Sequence, residues 1–208
     1  MRNIVTVSVL AFVFLLCSSN KLEFKKEYKL RTVVIDAGHG GKDVGCNGKF
    51  SHEAHVALRI AKEVGGLIEK NVPGVKVVYT RTDDNFVELI DRAGIANKNN
   101  ADLFISIHLN AGPPAAFGTE TYTMGLHTSN GNLQVAKREN AVILQEDNYE
   151  ANYNGFDPNS PQSHILFALH QSAYIDNSLR FADKVEREFS TKAGRKSRGV
   201  KQAGFLVL

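Results

Sequence analysis

The alternation of short apolar runs with helical patterns is the feature that most constrains how this chain folds. Four runs of β-branched or apolar residues are typical of strands: 32–35, 75–80, 103–107 and 118–123. Between the first three lie two helical patterns, one beginning at Ser51 with apolar residues three and four apart, the other at residues 86–98. Strand–helix alternation of this kind predicts an α/β fold, with an open, mostly parallel sheet and helices on both faces in a three-layer sandwich.

The regular alternation stops after the fourth strand. Residues 126–163 are rich in Asn, Gln and Glu, and the stretch 157–161 contains two prolines that interrupt regular structure. We interpret residues 126–163 as a polar insertion on one side of the sheet, with a helix predicted near 132–145. A long helix is predicted around 175–189, and the apolar residues 204–208 indicate the start of a further, incomplete strand.

The N-terminus has the pattern of a secretory signal peptide. A short basic start precedes an apolar stretch at residues 4–17, and small polar residues follow. The stretch is shorter than the roughly 20 apolar residues of a membrane-spanning helix, so we expect no stable membrane span. We predict a signal peptide at 1–19 and a charged spacer at 20–31, and therefore export to the periplasm, the cell envelope or the medium. Cys17 is a weak lipidation candidate because the large Leu16 precedes it.

Composition excludes several classes of protein. Of the 208 residues, 43% are hydrophobic and 23% charged, which is typical of a globular domain and here assigned to residues 32–208. The net charge is only +3 with no long basic run, so we expect no nucleic-acid partner. Two cysteines cannot form a disulfide framework, which leaves the fold to its hydrophobic core. We expect an exported monomer.

Three side chains that can ligate a metal follow strands or begin a helix in this pattern. His39 comes directly after the first strand, His108 directly after the third, and Glu53 lies in the first turn of the first helix. In a parallel sheet these positions share one edge, where ligands bind. Two histidines and one carboxylate with an open fourth position form a known type of catalytic zinc site, which lowers the pKa of a bound water to about 7. The sequence therefore predicts Zn²⁺ at this edge.

Each of these residues also has an ordinary explanation. A histidine in a glycine loop is often a turn residue, and a glutamate in a first turn often only favours the helix dipole. His52 and His55 flank Glu53 and are alternative ligands, although we interpret them as surface residues. Cys46 is a candidate nucleophile, but a lone thiol is weak evidence. A nucleotide-binding loop is excluded because the glycine-rich stretch 38–45 matches neither the dinucleotide nor the P-loop pattern.

Several ordered blocks resemble the zinc-dependent N-acetylmuramoyl-L-alanine amidases, the cell-wall amidases with a single catalytic domain. The resembling blocks, with Glu53 between the first and second, are 34–43, 80–83, 92–93, 96–97, 101–111 and 118–122. The resemblance implies that His39, Glu53 and His108 bind zinc. It also implies hydrolysis of the amide that joins N-acetylmuramic acid to L-alanine in peptidoglycan. Asp36 is predicted either to orient the His39 ring as a hydrogen-bond partner or to act as a hydrogen-bond acceptor for the loop, and Asn110 is predicted to bind substrate.

The resemblance also implies a catalytic glutamate on the last strand of the domain, beyond the segment that resembles residues 199–208. We therefore predict that the general base lies beyond Leu208 and that the chain is truncated. Glu186 and Glu188 are not assigned to this role, because their charged surroundings are typical of a solvated helix face. The alternative is a peptidoglycan-binding or catalytically inactive zinc protein.

The insertion suggests a form of regulation. In some relatives, an inserted helix covers the zinc groove until an activator protein removes it. The length and position of residues 126–163 motivate the same hypothesis for this chain, including an activator that acts on the insertion. A surface decoration without a regulatory role is the other interpretation.

Overall fold

The computed structural model describes residues 29–113, 115–126, 129–169 and 174–208. The predicted signal peptide, Cys17 and most of the predicted spacer lie outside the described residues. Within those ranges, no helix is both long enough and apolar enough to span a bilayer.

Three parallel strands form the sheet at the centre of the fold. They are β1 (Thr32–Ala37), β2 (Lys76–Tyr79) and β3 (Leu103–Ile107), in the order β2–β1–β3. Helices α1 (Glu53–Asn71) and α2 (Leu89–Lys98) connect them, as the alternating sequence pattern predicts. The carboxyl ends of β1 and β3 consequently lie side by side at one edge of the sheet.

The two faces of the first sheet pack against different hydrophobic cores. Val33, Ile35 and Ala37 pack with Ala61 of α1. On β3, Phe104 packs instead against the second core, which includes Leu89 of α2. Helices therefore cover both faces of the sheet, as predicted.

Helix α1 packs mainly through small residues, and Val64 of the predicted apolar stripe also packs against the first of these two cores. Its buried positions include Ala54, Ala57 and Ala61, whereas Leu67 of the predicted stripe is 58% exposed. Alanines let the helix approach the sheet closely, so larger apolar side chains are displaced to the flanks. The helix also begins two residues later than Ser51, with His52 at its N-cap and no side-chain cap.

Two strands that follow β3 in the chain form a second sheet. It consists of β4 (Thr119–Met124) and β5 (Ser197–Ala203), which are parallel to each other. The α/β class is confirmed, but the described strands form two sheets instead of the predicted single sheet, because β4 pairs with β5 and not with β3.

The predicted strand at residues 204–208 is wrong. The strand is β5, and residues 204–208 form a turn in which the Leu208 N–H donates to the Phe205 carbonyl oxygen (3.2 Å). Phe205, Leu206 and Val207 are buried in the second core, so their apolar character reflects core packing and not strand pairing.

Glu186 is buried, in contrast to the prediction of a solvated helix face. It lies on α6, the helix at Ile175–Thr191, and is only 4% exposed. The hydroxyls of Thr119, Thr121 and Ser197 all donate to its carboxylate, which ties α6 to β4 and β5. A carboxylate with these partners stabilises the fold and is not available as a general base.

The insertion is helical and is anchored to the rest of the domain. It contains α3 (Asn130–Asn140), a 3₁₀ helix (Ala141–Gln145) and α4 (Tyr149–Asn152), and its end overlaps α5 (Pro161–Leu169). The buried Asn140 side chain donates to the Gly204 carbonyl (2.8 Å) and accepts from the Leu206 N–H (2.9 Å). These bonds fix the C-terminal end of α3 against the second core.

Candidate metal centre

His39 lies in a tight loop at the end of β1. Its backbone is in the left-handed region (φ 61°), which is rare for a residue with a side chain. Neighbouring Gly38 must be a glycine because a Cβ there would lie 2.4 Å from the His108 ring. The close approach of the two loops brings the His39 and His108 rings to a centroid distance of 4.8 Å.

Glu53 is fixed by its position at the start of α1. Its Oε2 accepts the Cys46 N–H (2.9 Å), and its Oε1 accepts the Leu109 N–H (2.7 Å). The side chain is 1% exposed. The same Oε1 lies 3.2 Å from His39 Nε2 and 3.2 Å from His108 Nδ1. The structure therefore brings together the three residues that the sequence predicts as metal ligands.

A fourth donor, Glu139, comes from the insertion and was missed by the sequence analysis. It lies near the end of α3, and its Oε2 is 3.4 Å from His39 Nε2 and 3.1 Å from His108 Nδ1. Arg138 holds the other carboxylate oxygen through Nε (3.1 Å) and Nη2 (2.8 Å). One signal was available: Glu139 continues, at three-residue spacing, the buried stripe of Leu133 and Ala136.

The four donor atoms are close enough to share one metal ion, since all of them lie within 4.8 Å of one another. Zinc bonds of about 2.0–2.2 Å place tetrahedral ligand atoms roughly 3.3–3.6 Å from one another. The four measured imidazole–carboxylate separations range from 3.1 to 3.4 Å. In addition, His39 Nε2 and Glu139 Oε2 are buried and have no hydrogen-bond partner among the described residues. Buried polar atoms without partners are costly, and a shared metal ion would satisfy both.

The electrostatics of the cluster also favour a cation. Burial alone would lower the pKa of His39, but the carboxylates of Asp43, Glu139 and Glu53 raise it to about 11. Burial would also lower the pKa of His108, but Glu139 and Glu53 raise it to about 9. The site thus has an excess of negative charge, which either protons on the imidazoles or a metal cation must neutralise.

The hydrogen-bond partner of His39 is Asp43, so the prediction of Asp36 is wrong. The His39 Nδ1–H donates to Asp43 Oδ2 (2.8 Å), which leaves Nε2 free to donate its lone pair to a metal. Asp36 instead accepts hydrogen bonds from Thr80, Arg92 and Ser106. The pleat explains this arrangement, because residue 36 points to the face opposite Ile35 and Ala37, where these three partners lie.

Two buried arginines donate hydrogen bonds to the backbone of the His39 loop. Arg81 donates to the carbonyl oxygens of Ala37 (2.8 Å) and Gly38 (2.7 Å). Arg92 donates to the His39 carbonyl oxygen (2.9 Å) and to Asp36. Both side chains hold backbone carbonyl groups and so stabilise the loop.

Asn110, the predicted substrate-binding residue, lies at the rim of the cluster. It is two residues after His108 and is exposed. Its Nδ2 donates to Glu120 Oε1 (2.5 Å), and its Oδ1 accepts from Arg138 Nη2 (2.6 Å). Asn110 therefore connects the insertion to strand β4 beside the metal ligands.

The alternative site residues do not join the cluster. His52 and His55 are exposed and pair with Asn47 and Asp84. Burial and the nearby Glu53 carboxylate raise the pKa of the Cys46 thiol, which disfavours the thiolate that nucleophilic catalysis requires.

The fold and the donor set thus define an α/β domain with a candidate zinc site at the carboxyl edge of its parallel strands. The chain belongs to the N-acetylmuramoyl-L-alanine amidase family (Amidase_3), whose profile matches residues 33–208. The resemblance predicted from the sequence blocks is therefore confirmed.

Individual relatives agree with the family assignment. The chain is 34% identical over 193 residues to the N-acetylmuramoyl-L-alanine amidase AmiA of Escherichia coli K12, an alignment that covers 91% of this chain. Among solved structures, it is similar to an N-acetylmuramoyl-L-alanine amidase from Clostridium difficile 630, with a TM-score of 0.58 and 27% identity over 87% of this chain and 74% of the other. The catalytic domain of CwlV from Bacillus (Paenibacillus) polymyxa gives a TM-score of 0.50 and 27% identity, covering 86% and 73%. The chain spans 64% of the length of AmiA.

Proposed function

We propose that the protein hydrolyses the amide bond between N-acetylmuramic acid and L-alanine in peptidoglycan, with Zn²⁺ held by His39, Glu53 and His108. The observation that carries the proposal is the convergence of these three residues, with separations of 3.2 Å from Glu53 Oε1 to each imidazole nitrogen. Membership of the amidase family supports the choice of substrate. Export to the cell envelope, which the N-terminal sequence predicts, would bring the protein to that substrate.

The residues around the metal ligands prepare the site for this chemistry. A zinc ion bound to such a set supplies Lewis-acid polarisation of a carbonyl oxygen and activates water for attack. Asp43 keeps a proton on His39 Nδ1 and so presents Nε2 as the donor. Two backbone N–H groups, of Cys46 and Leu109, orient the Glu53 carboxylate. Asn110, at the rim, is the side chain best placed to hydrogen-bond the substrate.

We further propose that the insertion inhibits the site in the arrangement described here. Glu139 would take the fourth metal position, which a catalytic zinc site leaves open for water or substrate. Activity then requires that the end of α3 move away, for example when an activator protein binds the insertion. The support for this proposal is the distance of 3.1 Å from Glu139 Oε2 to His108 Nδ1 together with the burial of Glu139.

The test combines metal binding with turnover. The protein carrying Glu139→Ala, which would free the fourth metal position, is incubated with purified peptidoglycan, and the release of peptides with a free N-terminal alanine is followed by mass spectrometry. We expect release that EDTA abolishes and zinc restores, and no release with His39→Ala. In parallel, one zinc per chain should bind the wild type, and His39→Ala should lose it. Zinc binding without peptide release would indicate the alternative, a peptidoglycan-binding zinc protein.

A further inference from the structure

An irregularity in the second sheet places two cations on one face. Arg198 and Lys201 are three residues apart, so in a regular strand their side chains would point to opposite faces. The register shifts between the pairs Thr119–Ser197 and Thr121–Val200, so that Glu120 faces two residues of β5. Gly199 has a φ of 84°, a conformation that favours glycine and absorbs the extra residue. The bulge turns both cations to the same side as Glu120.

Both cations bind the same carboxylate. Glu120 Oε2 accepts from Arg198 Nε (3.1 Å) and from the Lys201 ammonium. The Lys201 ammonium also lies 5.6 Å from the centroid of the Tyr122 ring. Burial raises the pKa of Glu120, but Lys201, Asn110 and Arg198 lower it below its ordinary value, so the carboxylate is charged. Two cations against one carboxylate leave an excess of positive charge on this face.

This face is open and distinct from the face that packs on α6. The hydroxyls of Thr119 and Ser197 point to the opposite side, where they bind Glu186. Arg198 is 42% exposed and Lys201 is 23% exposed. The guanidinium binds Glu120 through Nε, and its remaining N–H groups have no partner among the residues that the structure describes, so they can bind a ligand.

The cationic pair lies beside the candidate metal centre. Asn110 is two residues after His108, a span of at most about 7 Å, and its side chain donates to Glu120 Oε1. On its other side, Asn110 accepts from Arg138, which binds Glu139 of the metal cluster. A continuous series of hydrogen bonds therefore connects the metal cluster to the carboxylate that holds the cations.

We propose that Arg198 and Lys201 form a subsite for a carboxylate of the peptide substrate, adjacent to the metal centre. This inference rests on the proposed function, in which the leaving group is a peptide that begins with L-alanine. A guanidinium and an ammonium on one face match a carboxylate, which accepts several charge-assisted hydrogen bonds. The subsite would favour peptides with an acidic residue close to that alanine.

The test uses binding instead of turnover. L-Alanyl-γ-D-glutamyl-L-lysine is titrated calorimetrically into the full chain in EDTA, so that no metal contributes, and is compared with the same peptide amidated at the glutamyl α-carboxylate. We expect the acidic peptide to bind about tenfold more tightly, the ratio that one charge-assisted hydrogen bond supplies. In Arg198→Gln and in Lys201→Gln the ratio should fall towards one.

Two further variants test whether Arg198 and Lys201 recognise a peptide carboxylate or only form ion pairs that stabilise the fold. Lys192→Gln removes an exposed cation directly after α6, where it pairs with Glu188, and should keep the tenfold ratio. Arg198→Lys retains the positive charge and should keep part of the tenfold affinity ratio. If Lys201→Gln fails to fold, the more exposed Arg198→Gln carries the test. Equal affinity of the wild type for both peptides, no binding at millimolar peptide, or an equal loss for both peptides in Arg198→Gln would overturn the inference. A retained ratio without peptidoglycan hydrolysis would instead contradict only the proposed function.

Discussion

Asp36→Asn breaks the buried ion pair between Asp36 and Arg92 and should therefore destabilise the fold strongly. Asp36 is fully buried, and Arg92 is 2% exposed. The Asp36 carboxylate accepts from Arg92 Nη1 (2.8 Å), Thr80 Oγ1 (2.7 Å) and Ser106 Oγ (2.6 Å). All three partners come from elements around the first sheet, so the substitution weakens the centre of the fold.

The expected size of the effect follows from what the substitution leaves behind. Removing one partner of a buried pair costs about 3–5 kcal/mol, because the other charge stays buried without compensation. Arg92 keeps its hydrogen bonds to the carbonyl oxygens of Ala37, His39 and Val87, so we expect the lower limit, about 3 kcal/mol. In a domain of this size, each kcal/mol lowers Tm by about 2–4 °C, so Tm should fall by roughly 6–12 °C.

Urea denaturation followed by far-ultraviolet circular dichroism measures this loss. Asp183→Asn is the matched control, since it makes the same chemical change in an exposed pair with Arg187. Exposed pairs contribute little, and we expect the control to change the free energy of unfolding by less than about 0.5 kcal/mol. A loss below about 1 kcal/mol in Asp36→Asn, or a similar loss in the control, would refute the reasoning.

The pH dependence of the same variant provides a second check. Burial raises the pKa of Asp36, but Arg92, Ser106 and Thr80 lower it below the ordinary value of 3.8. A carboxyl group whose pKa is lower in the folded state stabilises the protein above its ordinary pKa and loses this contribution as the pH falls towards the folded value. The difference in stability between wild type and Asp36→Asn should therefore be constant near neutral pH and shrink below about pH 4. A difference that grows on acidification would contradict the assignment.

Three further substitutions address the metal centre and the insertion. Asp43→Asn should weaken zinc binding by about 10–100-fold, measured by competition with a chelator, because it loosens the partner that orients a ligand; unchanged affinity would argue against that role. Glu139→Ala should raise the rate at which the complete gene product hydrolyses peptidoglycan, because it frees the fourth metal position; a lower rate would contradict inhibition by the insertion. Asn140→Ala should lower the free energy of unfolding by about 1–3 kcal/mol in urea titrations, because it leaves the backbone groups of Gly204 and Leu206 without their partner. An unchanged midpoint would show that this anchor is dispensable.

Much of the fold was predictable because hydrophobic periodicity is a local property. The runs at 32–35 and 103–107 became strands β1 and β3, and the expected α/β class is confirmed. The wrong predictions concern residues that are buried for reasons other than strand or helix periodicity. The apolar residues 204–208 were interpreted as a strand but fill a core as a turn, and Glu186 is buried by three hydroxyl partners.

The sequence by itself determined the placement of His39, Glu53 and His108, because residues that follow parallel strands or begin the next helix must meet at one sheet edge. Only the tertiary structure decided the partners of these residues. The hydrogen-bond partner of His39 is Asp43 and not Asp36, because the pleat of β1 directs the Asp36 side chain to other partners. Glu139 reached the cluster because α3, fixed through Asn140, packs across the sheet edge. Such contacts depend on the packing of distant elements, which no local pattern of residues specifies.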